Sequence, residues 1–150
     1  MLKQQIDQDL KKALLAGNTS LATTLRGLKS VILYAEVAAG SRDTGLADEA
    51  IIALLGKEAK KRQESADLYT KGGRPERAEA ELAEKRVIEA YLPQQLSDDE
   101  LKQLVDEVAT ELGATTPQAM GQVIAKVKEK SNGAADGSRI AQAVKERLQV

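Results

Sequence analysis

Apolar residues recur at helical spacing along nearly the whole chain, with polar residues between them. Leu2, Ile6, Leu10 and Leu14 repeat every four residues, and Gly17 closes that pattern. Leu21, Leu25, Leu28, Ile32 and Ala35 form the stripe of a second helix. Residues 40–45 read Gly-Ser-Arg-Asp-Thr-Gly, a loop by composition. Asp48 stands where it can cap a third helix, whose stripe is Ile51, Leu55, Ala59, Arg62, Ala66 and Tyr69. That helix runs to about Lys71, ahead of Gly72-Gly73, and is roughly 36 Å long. Arg74-Pro75 opens a fourth, with proline near the first helical position, and Tyr91-Leu92-Pro93 closes it.

A second unit follows the short linker Pro93-Gln94-Gln95-Leu96. Ser97 and Glu100 have the spacing of a capping box, in which each side chain satisfies the other residue's free backbone amide. Leu101, Leu104, Val105, Val108 and Leu112 line the helix it opens, and Gly113 stops it. Thr116-Pro117 starts a helix that turns Met120, Ile124 and Val127 inward, and Ile140, Val144 and Leu148 line the last one. The pattern predicts an all-α protein. An N-terminal helical domain of about four helices covers 1–93, and a small three-helix domain covers 97–150. Three short helices are close to the minimum for an independent core, so the small domain should be marginal alone.

Composition narrows the chemistry. The chain has three Tyr and no Phe or Trp, so its core is Leu, Ile, Val and Ala, which suits helix-on-helix packing. It has no Cys and no His. Zinc fingers, cysteine nucleophiles and Ser-His-Asp arrangements are therefore excluded. No Gly-rich phosphate loop appears. The sequence thus predicts no catalytic residues, no metal and no cofactor. No apolar run is long enough for a membrane span, and the first residues lack the basic-then-apolar form of a secretory leader. A cytoplasmic location is the expectation from these features.

Net charge is −1, but its distribution is uneven. Residues 93–120 hold one Lys against six acids, whereas residues 121–150 hold six bases against three acids. The bases are Lys126, Lys128, Lys130, Arg139, Lys145 and Arg147. A basic face is the footprint of a phosphate ligand. The competing reading is a dipole that balances within the domain. Lys126 and Lys130 are four apart and share a face, so they lead the candidate RNA contacts, with Arg139, Lys145 and Arg147 beside them. Gly133, Asp136 and Gly137 are the turn and cap candidates: the glycines for unusual backbone angles, Asp136 for an N-cap or, alternatively, a ligand. Arg62 within an apolar stripe and Arg26 just past one call for a carboxylate among Asp9, Glu36, Glu58 and Glu81, or else for RNA.

Four islands fix a resemblance. They are Asp9-Leu10-Lys11-Lys12-Ala13 with Thr24-Leu25-Arg26; residues 57–65 (Lys-Glu-Ala-Lys-Lys-Arg-Gln-Glu-Ser) with Gly73-Arg74; Ala80-Glu81 through residues 91–97 (Tyr-Leu-Pro-Gln-Gln-Leu-Ser) to Glu100; and residues 120–148 around the turn Gly133-Ala134-Ala135-Asp136-Gly137. In order and spacing they resemble the YqeY family. The last island also resembles the tail of the B subunit of tRNA-dependent amidotransferases, where the tail is a tRNA-binding domain. The resemblance implies a helical N-terminal domain before such a tail. It also implies a link to the conversion of Glu-tRNA(Gln) or Asp-tRNA(Asn) to the amidated form by carbon–nitrogen ligase chemistry with glutamine as donor. The catalytic parts of that enzyme have no counterpart here.

The partners implied are tRNA, an amidotransferase or an aminoacyl-tRNA synthetase, with no membrane and no metal. The expected function is an accessory protein that contacts the tRNA backbone without catalysis of its own. The alternatives are a helical protein-interaction module with no nucleic-acid ligand, or an amidotransferase-associated component. Clustered exposed bases favour RNA, and bases interleaved with acids favour protein. One position departs from the family, which usually has Lys or Arg where this chain has Ala134. Ala134→Lys is accordingly expected to tighten RNA binding.

Overall fold

The computed structural model describes residues 1–149, and all regular structure among them is helical. The helices are α1 (Leu2–Leu15), α2 (Thr19–Ala38), α3 (Asp48–Lys71), α4 (Pro75–Glu89), α5 (Asp98–Leu112), α6 (Met120–Ser131) and α7 (Gly137–Leu148). One 3-10 turn, Pro117–Ala119, precedes α6. The chain is all-α, and it divides into two compact units, Met1–Leu92 and Pro93–Val150.

In the first unit α1 packs on α2, and α3 packs along α4. Ile6, Leu10, Leu25, Leu28, Ile32, Ile51, Leu55 and Ile88 are buried in one core. The stripe on α1 does not run as its spacing suggested: Ala13 is buried and Leu14 is half exposed. A step of four residues overshoots a helical turn by about 40°, so two steps carry Leu14 about 80° round from Ile6, while Ala13 falls about 20° to its other side. Asp48 also differs from expectation. Ala47 is the N-cap of α3, and Asp48 instead accepts the backbone N–H of Leu2 at 3.2 Å, satisfying the free first turn of α1.

Glu36 follows Ile32 by four positions on the inward face of α2 and is fully buried. Its carboxylate accepts from Lys3 Nζ at 2.8 and 3.0 Å and from the Leu46 amide at 3.2 Å. Gly45, at φ +79°, lets the loop pass close by, because a Cβ there would lie 3.3 Å from Glu36 Oε2. One buried acid thus fastens the start of α1 and the loop before α3 to α2. The hydrogen bond from Lys3 is the main reason its carboxyl lies below the usual carboxylate range, against the opposing effect of burial. The Tyr91 hydroxyl donates to Asp9, and burial followed by that bond raises the phenol above its ordinary value.

Arg62 reaches three carboxylates of α3 and α4: Glu84 at 2.7 Å, Glu58 at 3.4 Å and Glu81 at 3.8 Å. Glu58 and Glu81 were among its expected partners; Glu84, one turn beyond Glu81, is the nearest. Arg26 is exposed, without an ion-pair partner among the described residues.

The second unit is a three-helix core of Leu101, Val105, Val108, Val123, Val127, Ile140, Val144 and Leu148. The capping box is complete: Ser97 Oγ accepts from the Glu100 amide at 3.1 Å, and the Glu100 carboxylate accepts from the Ser97 amide at 2.8 Å. Such a cap contributes about 1 kcal/mol. Gly113, in the left-handed region at φ +64°, ends α5. On α6 the fully inward residues are Val123, Val127 and Ser131, while Met120 and Ile124 pack at the edge of the core.

Candidate nucleic-acid interface

The turn between α6 and α7 organises the small unit. Asn132 (φ +46°) and Gly133 (φ +87°) carry the chain through the left-handed region. Asp136 is the N-cap of α7, accepting from the Arg139 amide at 2.9 Å. Gly137 is the first residue of α7 and has no positive φ, so its expected role in an unusual backbone angle passes to Asn132. The turn carbonyls are taken by the preceding segment. The Leu96 amide donates to Ala134 O at 2.8 Å, and Gln95 Nε2 donates to Gly133 O at 3.1 Å. Ala134 is only 8% exposed. A lysine here has to emerge through that packing, so the tightening expected of Ala134→Lys carries a packing penalty.

The candidate bases separate into two groups. Lys130 Nζ meets Glu111 at 2.8 Å, Arg139 Nη2 meets Asp98 at 3.1 Å, and Arg147 Nε meets Asp106 at 2.8 Å. All three acids belong to α5, so the acidic helix serves as the internal counter-ion of the other two. Arg139 also donates to Leu96 O at 2.7 Å. The hydrogen bond between Lys130 and Glu111 holds the ammonium above its ordinary pKa and the carboxyl below. Lys126 approaches Glu129 of its own helix at 3.7 Å.

Lys128 and Lys145 are exposed and have no ion-pair partner among the described residues. Each follows a buried valine, Val127 or Val144, by one position. A step of one residue turns a side chain about 100° to one flank, and Lys130 and Arg147, three past the same valines, fall on the other. The flank bearing the two free lysines is therefore the one away from α5. Lys128 lies over the start of α7, with Nζ 3.5 Å from where a Cβ on Gly137 would be. Sequence spacing favoured Lys126 with Lys130; the structure leaves Lys128 with Lys145 as the open pair. The signal available in the sequence was the acidic run of α5, which marks the flank where bases would be neutralised.

A groove of about 400 Å³ between α5 and α7 is lined by Asp98, Lys102, Arg139, Gln142 and Glu146 among others, a mixture of signs that selects no simple ion. Among the described residues no three acids converge as a metal site would require.

A family model described as Yqey-like protein matches residues 3–148. The chain is also similar to fungal proteins named Altered inheritance of mitochondria protein 41, mitochondrial. The one from Eremothecium gossypii is 37% identical over 87 residues, covering 58% of this chain and 46% of the relative. Those from Lachancea thermotolerans and Kluyveromyces lactis are 33% identical over 114 residues and 31% over 130. They are covered to 60% and 69% of their length, and this chain to 75% and 84%. The matches span roughly half to two thirds of these relatives. The relatives are named as mitochondrial proteins, which overturns the cytoplasmic expectation. That expectation rested on the absence of cysteine and on first residues unlike a secretory leader. Neither feature singles out the cytoplasm.

Proposed function

The chain belongs to the YqeY-like family, and from that membership we propose that it is a non-catalytic accessory protein of tRNA-dependent amidation whose small unit touches the tRNA backbone. The observation that supports this reading is the open pair Lys128 and Lys145, on the flank of α6 and α7 that the α5 carboxylates do not reach. Two lysines make weak contacts without sequence preference, because phosphates carry no base identity. Lys130, Arg139 and Arg147 are a reserve, available only when their carboxylates are given up.

Titration of the full chain with bulk tRNA at two salt concentrations tests this. Two phosphate contacts on duplex-like RNA give a log–log salt slope of about −2. Charge reversal at Lys128 and Lys145 should remove binding. Asp106→Asn with Glu111→Gln frees Arg147 and Lys130 and should tighten binding while steepening the slope. A protein-interaction module is the second reading, favoured by the three ion pairs across the unit. It replaces the first if tRNA fails to bind at low salt and the double amide variant does not create binding.

A further inference from the structure

Exposed apolar side chains are concentrated in one place. Among the described residues, Met1, Leu14, Leu15, Leu33, Tyr34 and Val37 belong to α1 and α2 or adjoin them, leaving only Leu68 and Leu112 elsewhere. On α2, Arg26, Ser30, Leu33 and Val37 follow the i, i+4, i+7, i+11 spacing that makes one continuous stripe. The ion pairs Lys3–Glu36 (2.8 Å) and Asp7–Lys29 (2.7 Å) hold α1 antiparallel beside α2. Continuing that register brings Lys11 and Leu14 level with the start of the stripe, next to Arg26, and Met1 level with Val37.

The outer face of the hairpin therefore has two ends. One carries Lys11 and Arg26, exposed cations with no ion-pair partner among the described residues, beside half-exposed Leu14. The carboxylate between the two ends, Asp7, is engaged by Lys29. The other end carries Leu33 and Val37, 42% and 56% exposed. From Arg26 to Val37 the stripe is about 16 Å long, three turns of helix.

We propose that this face docks an amphipathic helix of a partner protein, one of about three turns, with acidic residues at the end that meets Lys11 and Arg26 and apolar residues over Leu33 and Val37. Charge decides the class of partner. Unpaired cations ask for carboxylates or phosphates, and the apolar end favours a protein, since nucleic-acid interfaces are more polar than protein–protein interfaces. A second copy of this chain does not fit, because the face offers no free acid to meet its own cations. The inference stands apart from the tRNA reading, which rests on α6 and α7.

The test is selection of displayed helical peptides against the full chain. Leucines are fixed at i, i+3 and i+7, and one terminal turn is randomised among Glu, Ala and Lys. Glu should dominate that turn in the selected peptides. Lys11→Glu with Arg26→Glu should weaken a selected peptide at least tenfold, as should Leu33→Ser with Val37→Ser, with helix content unchanged. A peptide with Lys in place of Glu should regain binding to the charge-reversed variant. The proposal is overturned if no peptide is enriched, or if enriched peptides are indifferent to both double variants. It is equally overturned if these variants instead abolish binding of tRNA or of vesicles containing anionic phospholipid.

Discussion

The two units handle charge in opposite ways. The first buries two carboxylates, Glu36 completely and Glu58 nearly so, and leaves cations and apolar residues exposed on its outer hairpin. Among the described residues the second buries no acid, yet it ties each of three bases to a carboxylate of a neighbouring helix. A buried ion pair fastens segments that must not separate, since removing one partner strands a charge in the core. Surface pairs contribute little to stability, typically 0.2–1 kcal/mol each, but they cancel a field that would otherwise attract anions. The first unit is therefore built for a firm scaffold with an open face, and the second for a small core with its field largely internal.

Core truncation should separate the units most strongly. Leu55→Ala and Ile140→Ala remove fully buried side chains, and each should cost about 2–5 kcal/mol. A core as small as that of the second unit supplies only about 3–5 kcal/mol in total. Ile140→Ala should thus leave the small unit largely unfolded at room temperature, while Leu55→Ala leaves the first unit folded. Amide hydrogen exchange resolved along the sequence reads this directly. Equal protection losses in both units would break the comparison.

Acid should separate them next. Glu36 has a folded pKa below its ordinary value, chiefly through the hydrogen bond from Lys3. The unfolded chain therefore takes up the proton first as pH falls. The stabilisation is complete above the ordinary carboxylate range and is lost as pH drops through the folded value, so the effect appears below about pH 5. The urea midpoint of the first unit should fall in that window, and Glu36→Gln should flatten the fall. A pH profile identical in the variant would remove Glu36 from its fastening role.

The smallest effect is expected from Asp106→Asn. It breaks the 2.8 Å pair with Arg147 at an exposed site, so stability should change by no more than about 1 kcal/mol. A much larger loss in thermal unfolding would mean that the pairs across α5 hold the small unit together rather than merely quenching its field.

Local pattern made the helices legible, and the capping box marked the start of α5 to the residue. What escaped were relations between distant positions. Leu14 left the core because a period of four is not 3.6. Asp48 looked like its own helix's cap, yet it serves Leu2, 46 residues away. Glu36 was noticed only as a partner for arginine; that it would be buried against Lys3 required knowing that α1 lies alongside α2. In the small unit, the split between acidic and basic helices was visible in the sequence. Which bases the acids would claim was not, because Asp98–Arg139 and Asp106–Arg147 each span 41 residues.

The hydrogen bonds of Gln95 and Leu96 to the turn at 133–134 decide where the small unit can be cut out. Ser97 looks like a natural first residue, since it opens the capping box. A fragment starting there would strip the carbonyls of Gly133 and Ala134 of their donors and take from Arg139 the acceptor at Leu96. Extending the fragment back to Pro93 restores all three bonds. The compact unit therefore begins in residues that, read along the sequence, look like mere connection.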